Sequence, residues 1–472
     1  MIKIKRFMLA LAVLASFSLT GVATGAESAK NEEGHPLAGI SLRSIGAAVI
    51  SGRVSDFAFH PESRNIFYVA TASSGVWKTT NRGITWTPIF DKYGAYATGW
   101  ITLNPDNPEE VWLGTGENNS QRSVGYGDGV YKSIDAGKNW KNVGLKNSGH
   151  IGQIKFDPQD SNTVYVTAQG PLWSAGGDRG LYKSTDGGDS WKKILDVDEF
   201  TGANELVINQ ENPDQLVVST YQRHRRIWAL LNGGPGSAIY KSDDAGENWR
   251  KISSGLPSKS DMGRIGLAGA PSDPARIYAI IEANEEERGV YRSDDFGNNW
   301  SKQSDHMTTS PQYYNELVVD PVDADRVYSL DTMTHMSEDG GKTWSKLSLD
   351  WRHVDDHALW IDPDFTEHLI IGGDGGIYES FDRGATWRHV RNLSIAQFYR
   401  IQPDNAEPFY NVCGGTQDNN SLCAPSRTTV VHGITNSDWT MILSGDCLLY
   451  TSPSPRDHLS YLVCRLLREK EG

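Results

Sequence analysis

A ring of four-stranded antiparallel β-sheets, an all-β β-propeller, is the architecture this sequence predicts, and three observations predict it. A short signature, Ser/Thr-x-Asp-x-Gly-x-x-Trp, occurs seven times, and its tryptophans recur every 43 to 58 residues. A fixed period of this size means one supersecondary unit repeated. A second repeat stands upstream of the signature: an apolar strand, an Asn/Asp-Pro turn, and another strand ending near Val/Ile-Tyr. Together the two repeats give four strands per unit, A to D, and such units at this interval are propeller blades.

The first repeat in each unit is the A–B turn. It reads Leu103-Asn104-Pro105 before Val111-Trp112, and Phe156-Asp157-Pro158 before Val164-Tyr165-Val166. Later copies are Val319-Asp320-Pro321 before Val327-Tyr328, and Ile361-Asp362-Pro363 before Leu369-Ile370-Ile371. The signature is the C–D hairpin. Its aspartates are Asp135, Asp186, Asp244, Asp295, Asp339 and Asp382, and a degenerate first copy has Asn81. Asp accepts backbone N–H groups of its own turn. Gly supplies the positive φ of a tight hairpin, Ser adds a local hydrogen bond, and Trp covers the turn with a large apolar face. An eighth A–B unit, Ile401-Gln402-Pro403 before Phe409-Tyr410, has no signature after it, although Trp439-Thr440-Met441-Ile442 reads as its D strand. The expectation is seven complete blades plus a truncated eighth. Leu42-Arg43-Ser44-Ile45 reads as an orphan D strand that completes the last blade.

The ends of the chain do not join this pattern. Residues 1–26 carry Lys3, Lys5 and Arg6, an apolar run from Phe7, and small residues ending Thr24-Gly25-Ala26. That is the pattern of a secretory signal peptide, so export to the periplasm or beyond is expected, with no membrane span after cleavage. Residues 27–37 read as a linker and 38–446 as the propeller. Residues 447–472 break the periodicity. Cys447-Leu448-Leu449-Tyr450-Thr451-Ser452 can be written as a sequencing-adapter end, so the segment reads as non-native, with the natural chain continuing past Asp446. Of four cysteines, Cys413 and Cys423 then remain, and in an exported protein a local disulfide is expected; two unpaired thiols are the alternative.

Composition narrows the partners. Forty-five basic against 59 acidic side chains give a net charge of −14, which disfavours nucleic acid and anionic membranes. A peptide, a protein or a polysaccharide outside the cell remains. No cofactor is implied, oligomeric state is open, and no zinc-type spacing marks a metal site.

Topology locates the candidate site. Signatures and A–B turns share one rim, so the B–C and D–A loops lie on the other. Those loops hold Glu117, Asn118, Arg122, Tyr126 and Asp128 in unit two, and Arg223 and Trp228 in unit four. They also hold His353, Asp356 and His357 before unit seven, Asp374 in Gly373-Asp374-Gly375-Gly376, and Gln417 and Asp418 in unit eight. Arg53 enters the first A strand and is expected near the axis. Glu117, Asp128 and Asp374 are the candidate catalytic carboxylates; the rest are candidate ligand contacts. Loop-ordering carboxylates and solvated arginines are the plainer readings of the same residues.

The signature resembles the Asp box of sialidases and sortilins. Residues 38–446 resemble the exported bacterial BNR-repeat proteins related to the sortilin N-terminal propeller, often labelled glycosyl hydrolases. The resemblance rests on the boxes, the Asp-Pro turns, Gly114 to Ser133 and Gly414 to Arg427. It implies a sortilin-like module binding peptide or glycan on the rim opposite the boxes. The alternative it implies is a glycoside hydrolase, xyloglucanase-like or sialidase-like, with part of its site beyond Asp446. Two departures bear on that alternative. Tyr68-Val69-Ala70-Thr71-Ala72-Ser73-Ser74-Gly75 matches the xyloglucanase motif Tyr-x-Arg-Thr-Asp-x-Gly-Gly with Ala72 in place of the catalytic Asp. Arg400-Ile401-Gln402-Pro403 resembles the sialidase Arg-Ile-Pro motif, interrupted by Gln402.

Overall fold

The computed structural model describes residues 43–49 and 51–443; the expected signal peptide, linker and tail lie outside them. The described residues build eight antiparallel sheets, seven of four strands and one of five, each with its four main strands in chain order. Seven of them, spanning 54–88, 98–144, 151–195, 201–252, 265–304, 316–346 and 356–389, each carry one box. The A strands are innermost and pack against the A strand of the next sheet, except between blades 6 and 7, where the B strand Val327–Leu330 meets the A strand Asp356–Ile361. The ring closes at seven, because the first A strand, Val54–His60, packs against the A strand of blade 7, Asp356–Ile361. Val54, Phe57 and Val69 share one core with Ala358, Ile370 and Ile377 across that seam, and Phe59 stacks on Trp360 at 3.8 Å.

Burial explains the strand composition. The inner B strands are apolar without alternation at their buried ends, as in Val111-Trp112-Leu113, because a neighbouring blade covers each face. The D strands, such as Thr87–Pro88 and Ser345–Lys346, are exposed, polar and short. Blade 4 departs from the pattern. Its B strand, Leu216–Arg226, overshoots the sheet and pairs with an extra strand, Ala229–Asn232. What reads in sequence as a B–C loop is a projecting hairpin.

The boxes follow one bonding scheme. In the Ser133 box the serine hydroxyl donates to Asp135 Oδ1 at 2.8 Å and accepts the Gly137 N–H at 2.8 Å. Asp135 Oδ1 also accepts the Asn139 N–H at 2.8 Å, and the Asn139 amide reaches Oδ2 at 2.7 Å. Ala136 and Gly137 have φ of 58° and 85°, the paired positive values of a type I′ hairpin turn. The degenerate copy works the same way: Asn81 Oδ1 accepts the Thr85 N–H at 2.9 Å, and Thr79 Oγ1 accepts Gly83 N–H. A neutral amide oxygen therefore replaces the carboxylate. In the Asp339 box, the Thr343 hydroxyl and N–H, with Ser337, hold the carboxyl at about 2. Asp339→Ala should cost about 1–2 kcal/mol, by analogy with lost caps, read as a lower urea midpoint with unchanged ligand binding. Selective loss of binding at unchanged stability would contradict the structural role.

The orphan-strand expectation is corrected. Residues 45–48 form no strand, because blade 7 already has its own D strand, Arg388–His389. Ile45 and Ala47 instead pack on Leu422, Ala424 and Trp439 of the eighth sheet, and Trp439 Nε1 donates to Ile45 O at 3.1 Å. Side chains reinforce the ring seam. Buried Glu379 of blade 7 accepts Arg82 of blade 1 at 3.2 Å and contacts His368 Nε2 at 2.9 Å. Burial alone would raise this carboxyl; His368 and Arg388 hold it down at about 2. The eighth sheet, 398–443, follows the ring without joining it. Cys413 and Cys423 are opposed across its two middle strands, with Cα atoms 4.1 Å apart, and form a disulfide.

Candidate functional site

A central cavity of about 730 Å³ runs between the A strands. At its end opposite the boxes stands Arg53, immediately before the first A strand and 6% exposed. Its Nε and Nη2 donate to Asp374 Oδ1 and Oδ2 at 2.6 and 3.0 Å, a bidentate pair. Its Nη1 donates to Glu117 Oε2 at 2.8 Å. Asp418 Oδ2 stands 3.5 Å from Nη2, and the Tyr313 ring lies 5.0 Å from the guanidinium. Tyr313 Oη donates to Asp374 Oδ2 at 3.2 Å, and His357 Nε2 stands 3.2 Å from Asp374 Oδ1.

Each carboxylate is fixed by its own loop. Asp374 sits in the tight turn between the B and C strands of blade 7, where its N–H donates to Asp355 O at 3.0 Å. A Cβ on Gly373 would fall 2.2 Å from that same carbonyl, so only glycine admits the approach. Glu117 accepts Gly125 N–H at 2.8 Å and the Asn119 amide at 3.0 Å. Asp418 comes from outside the ring, on the turn between the middle strands of the eighth sheet, with φ of 55°. Asn419 donates to Ser51 O and Asp374 O at 3.2 and 2.9 Å, and so ties that turn to the ring.

Electrostatics divide the carboxyls. Burial opposes the charge of Asp374, but the Arg53 cation and His357 hold its carboxyl well below the usual range. Asp418 behaves oppositely: burial, then the adjacent charge of Asp374, push it up to about 7. An ionised carboxyl and one that gains its proton near neutral pH thus face one guanidinium. Three more perturbed acids line the cavity itself. Burial pushes Asp56 up to about 7 although it accepts Ile101 and Phe57 N–H groups, and burial also raises Glu205 and Glu316.

The structure therefore brings Arg53, Glu117, His357, Asp374 and Asp418 together. Gln417 is adjacent, donating to Asp418 Oδ2 at 3.1 Å, and His353 Nε2 lies 3.0 Å from Asp418 O, orienting the turn. Asn118 lines the cavity and contacts Gln169 and Glu316. Tyr126 is 43% exposed and rests on His150 at 5.0 Å. Three expectations are corrected. Asp128 is a turn acceptor, bonded by Tyr131 Oη at 2.7 Å. Asp356 is buried on Arg352 and Thr334. Arg223 is fully buried, donating to Asn119 O at 2.8 Å and Gly170 O at 3.2 Å, and touches no open surface. Trp228 is 82% exposed at the tip of the blade 4 hairpin. Among the described residues no group of three His, Cys, Asp or Glu stands where it could hold a metal ion. Sequence reasoning missed Tyr313; the pair Tyr313-Tyr314 in a D–A loop was the available signal.

Comparison with known proteins follows the same lines. A sortilin family model, "Sortilin, neurotensin receptor 3", matches residues 128–257, and a BNR-Asp box repeat model matches 290–303. The chain is 25% identical over 347 residues to a probable oligoxyloglucan-reducing end-specific xyloglucanase of Neosartorya fischeri, covering 68% of this chain and 36% of that protein. It is 23% identical over 361 residues to a xyloglucanase of Hypocrea jecorina, covering 66% and 40%. The chain thus spans well under half the length of these curated relatives. Among solved structures, the GH74 xyloglucanase from Xanthomonas campestris superposes with a TM-score of 0.59 at 17% identity, over 80% of this chain and 60% of that one. That likeness is one of fold. The chain is a BNR/Asp-box repeat propeller with sortilin and xyloglucanase relatives.

Proposed function

We propose that this propeller acts on a polysaccharide at the rim opposite the Asp boxes, as a glycoside hydrolase in which Asp418 is the proton donor. One arrangement carries the reading: Asp418, its carboxyl pushed up to about 7, stands beside an ionised Asp374 on the same arginine. Glycosidases separate the protonation states of two carboxyls in this way so that one can protonate the leaving oxygen. Asp374 acts through Asp418. Its charge keeps the proton on its neighbour, while its bidentate bond to Arg53 leaves it poorly placed to attack carbon. The same holds for Glu117. The carboxylate that attacks or activates water is then sought outside the described residues. The xyloglucanase relatives favour this reading over a pure binding module.

The binding reading keeps one specific support. Ala72, where the xyloglucanase motif has its Asp, is 1% exposed and carries no acid. The test is turnover of xyloglucan and other β-glucans by the full-length protein across pH. The proton donor must be protonated, so the rate should be sustained below pH 7 and fall as pH rises through about 7. Capture without any cleavage in a broad glycan panel would leave the binding module standing and the hydrolase refuted.

A further inference from the structure

We infer that the rim carries a subsite for the carboxylate of an acidic sugar, so that the glycan it takes contains uronic acid residues; this rests on the polysaccharide reading above. The subsite lies between the blade 2 B–C loop and the projecting hairpin of blade 4. Its arginines are Arg122 and Arg225, with Arg223 beneath them.

These arginines contrast with those that hold an acid. Arg53, Arg64, Arg264, Arg326 and Arg352 each hold a carboxylate within hydrogen-bond reach. In the rim cluster no carboxylate lies within ion-pair distance. Arg225 donates through Nε and Nη2 to Ser120 O at 3.0 and 2.8 Å. Arg223 is spent on the carbonyls of Asn119 and Gly170, and its buried Nε has no acceptor. The Arg122 side chain makes no hydrogen bond or ion pair among the described residues. Arg122 follows two residues after Ser120, the residue that both Arg223 and Arg225 grip, and its charge is felt by Arg225. Buried Arg179 adds a further cation nearby, donating only to backbone carbonyls. The carboxylate whose field reaches it, Asp198, is bonded to Phe200 N–H and Thr201.

Concentrating unpaired guanidiniums is unfavourable in a free protein, and in a chain of net charge −14 acids to neutralise them are plentiful. Their absence here fits an anion supplied from outside. A carboxylate matches the planar guanidinium fork. Tyr126, 43% exposed and beside Arg223, offers a flat apolar face for a sugar ring. The loop that carries Arg122 begins at Glu117, so the subsite is continuous with the Arg53 cluster.

The test uses the full chain and four probes: de-esterified polygalacturonate oligosaccharide, its methyl-esterified form, neutral xyloglucan oligosaccharide and polyglutamate. Binding is read by calorimetry at two salt concentrations. Polygalacturonate should bind in a salt-sensitive way, and methyl esterification should abolish the gain. Arg122→Gln, which removes no internal contact, should weaken polygalacturonate about tenfold, the loss of roughly one charge-assisted contact, and leave neutral glycan unchanged. Equal affinity for esterified and free acid, or no effect of Arg122→Gln, would overturn the subsite. Xyloglucan binding without polygalacturonate binding would overturn it while leaving the polysaccharide reading intact. Capture of polyglutamate in preference to every glycan would overturn both.

Discussion

Replacing Arg53 with glutamine is expected to destabilise the propeller by about 3–5 kcal/mol at pH 7, the usual cost of removing one partner from a buried ion pair, and by much less at pH 4. Among the described residues Arg53 is the only cation bonded to both Glu117 and Asp374, and both carboxylates are 3% exposed. Without it, two buried negative charges lose their partner. The sign of the pH dependence follows from linkage. In the native protein Asp374 has a depressed pKa, so its contribution is present above the ordinary carboxyl range and lost as pH falls through its folded value. In the variant the same buried carboxyl is raised instead. Its penalty is then present at neutral pH and disappears once both states are protonated. Urea denaturation at pH 7 and pH 4 reads the difference. Adding Glu117→Gln and Asp374→Asn to the variant removes the uncompensated charge and should restore most of the loss. A deficit of the same size at both pH values, or no recovery in the triple variant, would show that Arg53 matters by packing on Tyr313 rather than by charge.

How far the sequence reveals this molecule depends on whether an interaction is local. The boxes were legible because Ser133, Asp135 and Gly137 satisfy one another within a single turn. Their fourth polar member was equally available and went unread: Asn139, Ser190, Asn248, Asn299, Thr343 and Thr386 each precede the Trp and bond the Asp side chain. The rim was legible too, since strand alternation alone places Glu117, Asp374 and Asp418 on the side away from the boxes. Ring closure was not. An orphan strand at 42–45 is plausible by pattern, but whether blade 7 needs it depends on contacts between Val54 and Ile370, residues some three hundred positions apart. Arg223 shows the same limit. An Arg-rich stretch reads as a solvated loop, whereas its carbonyl partners, Asn119 and Gly170, lie in other blades. Asp356 reads as channel lining and is instead satisfied by Arg352 four residues before it and Thr334 in blade 6. In each case the sequence shows the residue type, and the partner that decides its role is supplied by the fold.

Asp418→Asn is expected to lower glycan turnover by about 10²–10⁴-fold, the range for loss of a general acid, while leaving glycan binding in place. Asparagine keeps the shape and hydrogen-bonding capacity of the side chain and tolerates the φ of 55° at this turn. What it cannot do is release a proton to a leaving oxygen. A second readout separates this from simple misfolding. Native Asp418 has a raised folded pKa of about 7, so it costs stability as pH rises from the ordinary carboxyl range through 7. The variant lacks that cost and should hold its stability better between pH 5 and pH 8 than the parent does. Asp374→Asn tests the neighbour's role: with the adjacent charge gone, Asp418 should lose its proton more easily and the basic limb of the rate profile should move to lower pH. A merely structural Asp374 would change the height of that profile and not its position. Full turnover in Asp418→Asn would remove the proton donor from this site and, with it, the reason for reading the rim as catalytic.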